Sequence, residues 1–160
     1  MVHDKETQTQ TQTQTQTQRQ TLEQKRALFS LGKIKVVKEK KDKTLEGQYA
    51  SWAQKLPVLI LTNGLGQTLV FLKAKGEGKA KDERDGKPAK AQKMLFEDLS
   101  AWLKEAPTIP WGEKNDPDIL QRIVNTSSEV YRIATMEAIA FLTWHKRFAE
   151  GYLEKPEEGQ

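Results

Sequence analysis

Between residues 129 and 153 the chain sets Val130, Ala134, Ala138, Phe141, His145, Phe148 and Tyr152 in steps of four and three. That spacing follows one face of an α-helix and excludes a strand, whose side chains change face at every residue. Ser127 or Ser128 offers a capping hydroxyl in front of it, and Gly151 and Pro156 mark its end. A helix this long and one-sided needs other helices to bury its stripe.

The remaining sequence supplies them. Thr21 with Gln24 reads as a capping box. Behind it Ala27, Leu31, Ile34 and Val37 share a face, Leu28 widens it, and Arg26, Lys33 and Lys40 fall on or near the opposite side. This predicts a helix from about 21 to 41. In the stretch LPVLILTNGLGQTLVFLKAKGEG, Asn-Gly between apolar runs is a β-hairpin signal. Its flanks, however, carry helical spacing, with Tyr49, Trp52, Leu56, Leu59 and Ile60 before and Leu65, Leu69 and Leu72 after. Pro57 removes a donor that a central strand needs, and no phosphate-loop pattern accompanies the glycines. Two helices nearly in line are expected, with one helix kinked at Pro57 as the alternative, and Asn63 and Gln67 place amides on the apolar stripe to satisfy freed backbone groups or meet a neighbour.

Met94, Leu95, Leu99, Trp102 and Leu103 predict a further helix over 89 to 104, ended by Pro107 and Pro110. Asp116, Pro117 and Asp118 read as cap, first-turn proline and first-turn acid of a short helix with Ile119, Ile123 and Val124 on one face. No span alternates with period two. The expected fold is all-α, a compact single-domain bundle of five to six helices over 21–154.

Outside that domain, six Thr-Gln pairs at 7–18 carry no large apolar side chain to offset the entropy of ordering, so 1–20 reads as a disordered tail. Residues 76–90 read as an exposed polar loop and 155–160 as a flexible end. No secretory, transit or membrane-spanning pattern is present, and a cytoplasmic chain is expected.

Absence of cysteine excludes disulfides and thiolate chemistry. His3 and His145 are the only histidines. His145, on an apolar stripe, reads as a satisfied core or interface residue rather than a general base. Glu97, Asp98, Asp116 and Asp118 read as helix-dipole partners rather than metal ligands. Trp52, Trp102, Trp111 and Trp144 sit at helical spacing and read as core, with base stacking as the alternative. No catalytic constellation, cofactor site or metal site emerges, and no small-molecule substrate is implied.

The net charge of +4 is segregated. Residues 25–43 carry eight bases and two acids, 73–93 eight bases and four acids, and 94–130 three bases and seven acids. On the first helix Lys25, Arg26, Lys33 and Lys40, and on the last Arg132, Lys146 and Arg147, can contact a polyanion backbone without reading its sequence. A solvated surface explains the same charges equally well. An adaptor whose acidic half meets a basic protein is the second reading.

Two stretches, QKLPVLILTNGLGQTLVFLKAKG at 54–76 and YRIATMEAIAFLTWHKRFAEGYLE at 131–154, resemble signature segments of the small subunit of the type III-B CRISPR effector, the Cmr complex. The resemblance covers about residues 21–154. It implies a small all-α protein without catalytic activity, stacked in several copies as a minor filament beside the crRNA-bound backbone subunits. There it would help hold the crRNA–target RNA duplex. Implied partners are crRNA, target RNA, other Cmr subunits and copies of itself. Lys146 and Arg147 match the family segments and suit RNA; Arg26 and Lys33 rest on charge. The Thr-Gln tail has no counterpart in the resemblance.

Overall fold

The computed structural model describes residues 19–78, 89–113 and 116–155. The expected disordered tail, polar loop and flexible end fall largely on 1–18, 79–88 and 156–160, outside the described residues. Among the described residues there are six helices and no strand, as the spacing predicts. They are α1 (Leu22–Glu39), α2 (Lys43–Asn63), α3 (Leu65–Gly76), α4 (Lys90–Glu105), α5 (Ile119–Asn125) and α6 (Ser128–Tyr152).

Two of the expected caps form, and Asp42 adds one that spacing did not announce. The Thr21 hydroxyl accepts from Gln24 N–H while the Gln24 side chain accepts from Thr21 N–H. Ser127 caps α6 through Val130 N–H, and Asp42 caps α2 through Leu45 N–H. At α5 the cap is Asp118, which accepts from Leu120 N–H, so the helix starts later than expected. Asp116 instead accepts from Asp118 N–H, fixing the turn in front of it.

The junction at Gly64 is a sharp reversal, not two helices in line. Trp52 and Phe71 are 19 residues apart, about 28 Å along a continuous helix at ~1.5 Å per residue. Their ring centroids lie 5.6 Å apart, so α3 folds back along α2. One residue makes the turn: Gly64, at φ +89°, where a side chain is strained. Helical phase cannot register this, because it counts the glycine as one more helical residue.

Asn63 and Gln67 point to solvent and do not serve the break. The backbone is satisfied from elsewhere: Gly64 N–H bonds Ile60 C=O, the Thr68 hydroxyl donates to Gly64 C=O, and Gly66 N–H donates to the Tyr131 hydroxyl at 3.1 Å. Gly64 therefore admits Tyr131 of α6 to the corner, where a Cβ would lie 3.2 Å from the hydroxyl.

A second close approach comes at the end of α3. A Cβ on Gly76 would lie 2.7 Å from the Lys93 Cα, so glycine lets α3 and α4 touch backbone to backbone. The two run antiparallel, with Lys73 Nζ 5.7 Å from the Phe96 ring.

The long α6 packs against α1, α2 and α4 along one face. Ala134, Ala138, Phe141, Leu142 and Ala149 are buried on its inner face against Tyr49, Leu56 and Ile60 of α2 and Leu95, Leu99 and Trp102 of α4. Each such Leu, Ile or Phe removed from water stabilises by about 1.5–3 kcal/mol. The stripe frays at its C-terminal end, where Tyr152 is exposed. Val124, expected on the inner face of α5, is also exposed, while Ile119 and Ile123 are buried.

Candidate nucleic-acid interface

The bundle holds two buried polar networks, both seated on α1, and they decide which charges remain outside. In the first, Glu137 of α6, nearly inaccessible, accepts from Arg26 Nε at 2.8 Å and Nη2 at 2.7 Å, from Trp102 Nε1 at 3.0 Å and from the Thr108 hydroxyl at 2.8 Å. Burial pulls the Glu137 pKa upward, but these donors outweigh it and hold it below the usual carboxylate range. The same contacts, led by the Glu137 bond, raise the Arg26 pKa. Arg26 also pairs with Glu23, whose other oxygen accepts from Trp144 Nε1 at 2.8 Å.

In the second network the Ser30 hydroxyl lies 2.7 Å from His145 Nδ1 and the Tyr49 hydroxyl 2.5 Å from His145 Nε2. Tyr49 donates in turn to Asp98 at 2.7 Å. With that proton committed, the Tyr49 oxygen accepts from His145 Nε2–H, and Ser30 donates to Nδ1. His145 is thereby neutral with both nitrogens satisfied. Burial lowers its pKa to about 3 and raises that of Asp98 to about 6, the latter against the bond from Tyr49 and the charge of Lys33. Burial, then Asp98, push Tyr49 well above its ordinary value.

A serine, a histidine and an acid in one chain invite a hydrolytic reading. Ser30 and His145 are 0% and 1% exposed, however, so no substrate reaches the hydroxyl. The network is structural, the role expected for His145. No group of three or more His, Cys, Asp or Glu able to hold a metal occurs among the described residues.

These networks rotate α1 relative to expectation. Its buried line runs through Ser30, Ile34 and Val37 with Arg26, Phe29 and Lys33 beside it, while Leu28 is 60% exposed. One expected surface position, Arg26, is thereby corrected, and a second, Lys33, is partly covered. Arg26 is turned inward onto Glu137 with its side chain 13% exposed. Lys33 is half-buried, 5.3 Å from the Phe29 ring and close enough to stabilise the Asp98 charge. The cause is chemical: buried polar partners outweigh apolar periodicity.

The other five expected positions remain at the surface. Lys25 and Lys40 are exposed on α1, Lys40 as its C-terminal cap. On α6 Arg132, Met136, Thr143 and Arg147 form an exposed stripe along the helix, opposite the buried one, with Lys146 half-buried beside it. Arg147 is 70% exposed and reaches Glu150 at 3.7 Å, a surface pair of little energetic weight. The structure thus leaves Arg132 and Arg147 exposed on α6 with Lys146 half-buried beside them, holds Lys33 half-buried on α1, and commits Arg26 to the interior.

The tryptophans divide similarly. Trp102 is buried and stacks on Phe141 at 5.6 Å, and Trp111 donates to Leu103 C=O at 2.9 Å. Trp52 packs on Phe71. Trp144 is half-buried at the edge between α1 and α6, stacked on Phe148 at 5.8 Å. Sequence spacing missed its position beside Arg147. The signal available was the i, i+4, i+8 series of aromatics Trp144, Phe148 and Tyr152.

Comparison with known proteins bears on what this surface meets. The family model described as CRISPR-associated protein (Cas_Cmr5) matches residues 22–152, from the first residue of α1 to the last of α6. A relative, CRISPR system Cmr subunit Cmr5 of Thermus thermophilus, is 28% identical over 109 residues, 68% of this chain and 78% of that protein.

Proposed function

Since the chain belongs to the Cmr5 family of CRISPR-associated proteins, and so is a subunit of a type III-B Cmr complex, we propose that it acts there as a non-catalytic RNA-binding and scaffold subunit. Its copies stack in a minor filament and help hold the crRNA–target RNA duplex. The observation that carries the RNA part is the exposed stripe of α6, where Arg132 and Arg147 stand with Lys146 on a helix whose opposite face is locked in the core. Cations on such a rigid support meet phosphates without the entropic cost of ordering a loop. Lys25 and Lys40 on α1 extend the basic surface. Guide pairing reads the target sequence, so this subunit needs no base-specific contact.

The non-catalytic part rests on the enclosure of Ser30 and His145. No helix among the described residues is long and apolar enough to cross a membrane. Isolation of the tagged chain from its native cell tests the assignment. Co-purification of crRNA with the backbone subunits is the expected result; capture of a lone protein partner without RNA would sink it.

A further inference from the structure

Beside the basic stripe, the edge between α1 and α6 forms a shallow groove of about 340 Å³ lined by Glu23, Ala140, Thr143, Trp144 and Arg147. That is the low end of the ~300–1,000 Å³ typical of small-molecule sites. It is open, with room for one flat group rather than an enclosed ligand.

The Trp144 ring is held before anything binds. Its N–H is fixed by Glu23 at 2.8 Å, and Phe148, one turn toward the C-terminus, stacks against it. The groove lies toward Ala140, one turn the other way, where a small side chain leaves space. Its polar groups are of two kinds. Glu23 offers carboxylate oxygens, and Thr143, whose hydroxyl proton is donated to Ile139 C=O, offers lone pairs. Arg147 supplies a largely exposed cation. The ligand matching this set has a flat π-face, amino or imino donors on one edge and a negative charge attached.

We infer that this groove is a stacking site for one unpaired nucleobase of single-stranded RNA, with the base against Trp144 and its phosphate at Arg147. The inference rests on the RNA-binding reading above. It adds that the subunit holds RNA by base as well as backbone, at a point where the strand leaves the duplex. A stack on a fixed aromatic tolerates every base, so it adds affinity without sequence preference.

The test uses the full-length chain at low salt with two single-stranded RNAs of equal length, one ordinary and one abasic. The ordinary strand should bind more tightly, ultraviolet cross-linking should place a nucleotide adduct on the peptide containing Trp144, and Trp144→Leu should weaken ordinary RNA roughly 5- to 150-fold while leaving the abasic strand unaffected. Equal binding of the two strands, with adducts elsewhere, overturns the stacking site and leaves the phosphate-binding reading standing. Retention of neither strand overturns both. Should Trp144→Leu fail to fold, the two-strand comparison and the adduct map on the unaltered chain still decide.

Discussion

The Tyr49 hydroxyl lies 2.5 Å from His145 Nε2, inside a chain of hydrogen bonds that joins α1, α2, α4 and α6. Burial at that site shifts its two titrating groups in opposite directions. His145 falls from 6.5 to about 3, so below about pH 6.5 the unfolded chain binds a proton the folded one refuses, and stability drops as pH falls. Asp98 rises from 3.8 to about 6, so between those values the folded chain holds a proton the unfolded one has lost, and stability drops as pH rises. Between about pH 4 and 6 the two slopes nearly cancel. Asp98→Asn keeps an acceptor for Tyr49 and removes one of them. Urea unfolding should then show the variant losing roughly 1.4 kcal/mol more than the wild type per pH unit over that range. Parallel curves would refute the raised pKa of Asp98.

Glu137 anchors Arg26, Trp102 and Thr108 together. Glu137→Ala leaves a buried guanidinium without its carboxylate and should cost about 3–5 kcal/mol in chemical denaturation. Replacing both partners, Arg26→Met with Glu137→Leu, should recover much of that loss, since removing a buried pair costs less than breaking it.

Three glycines separate by what surrounds them. Gly76→Ala drives a methyl to within 2.7 Å of the Lys93 backbone and should destabilise by about 1–3 kcal/mol. Gly64→Ala meets the strain of φ +89° with ψ 157°, a region essentially reserved to glycine, and should cost about 1–3 kcal/mol. Gly66→Ala meets Ile123 at 3.6 Å, an ordinary contact, and should be neutral or stabilising by up to about 1 kcal/mol. Thermal melts of the three variants check this order.

Much of this fold is legible in residue spacing. Stripes such as Ala134, Ala138 and Phe141 have to be covered, and the caps at Thr21 and Ser127 follow from hydrogen-bonding chemistry that acts within one turn. What spacing misses depends on partners distant in sequence. Glu137 lies 111 residues from Arg26, so nothing near Arg26 announces that it turns inward and carries α1 with it. The reversal at Gly64 is lost for the same reason, because its supporting hydroxyl comes from Tyr131. At the candidate interface the bases of α6 are legible as charge. Their separation from Arg26 is not, since it depends on which carboxylates the fold buries.

Tyr131 supports the corner through one hydrogen bond to Gly66 N–H. Tyr131→Phe should lose about 0.5–1.5 kcal/mol in urea unfolding while leaving helical circular dichroism unchanged. A loss of helix content would mean that the corner depends on more than this bond.

The most direct measurement is retention of target RNA by the assembled complex as salt is raised, comparing the wild type with a chain carrying Arg132→Glu, Lys146→Glu and Arg147→Glu. Arg132 and Arg147 are exposed and Lys146 is half-buried beside them, and none belongs to the buried line of α6, so folding and assembly should survive. The account predicts weaker retention at every salt concentration and a shallower salt dependence, by roughly 0.7–0.9 in logarithmic slope for each phosphate that the variant no longer neutralises. Retention and slope identical to the wild type would contradict it.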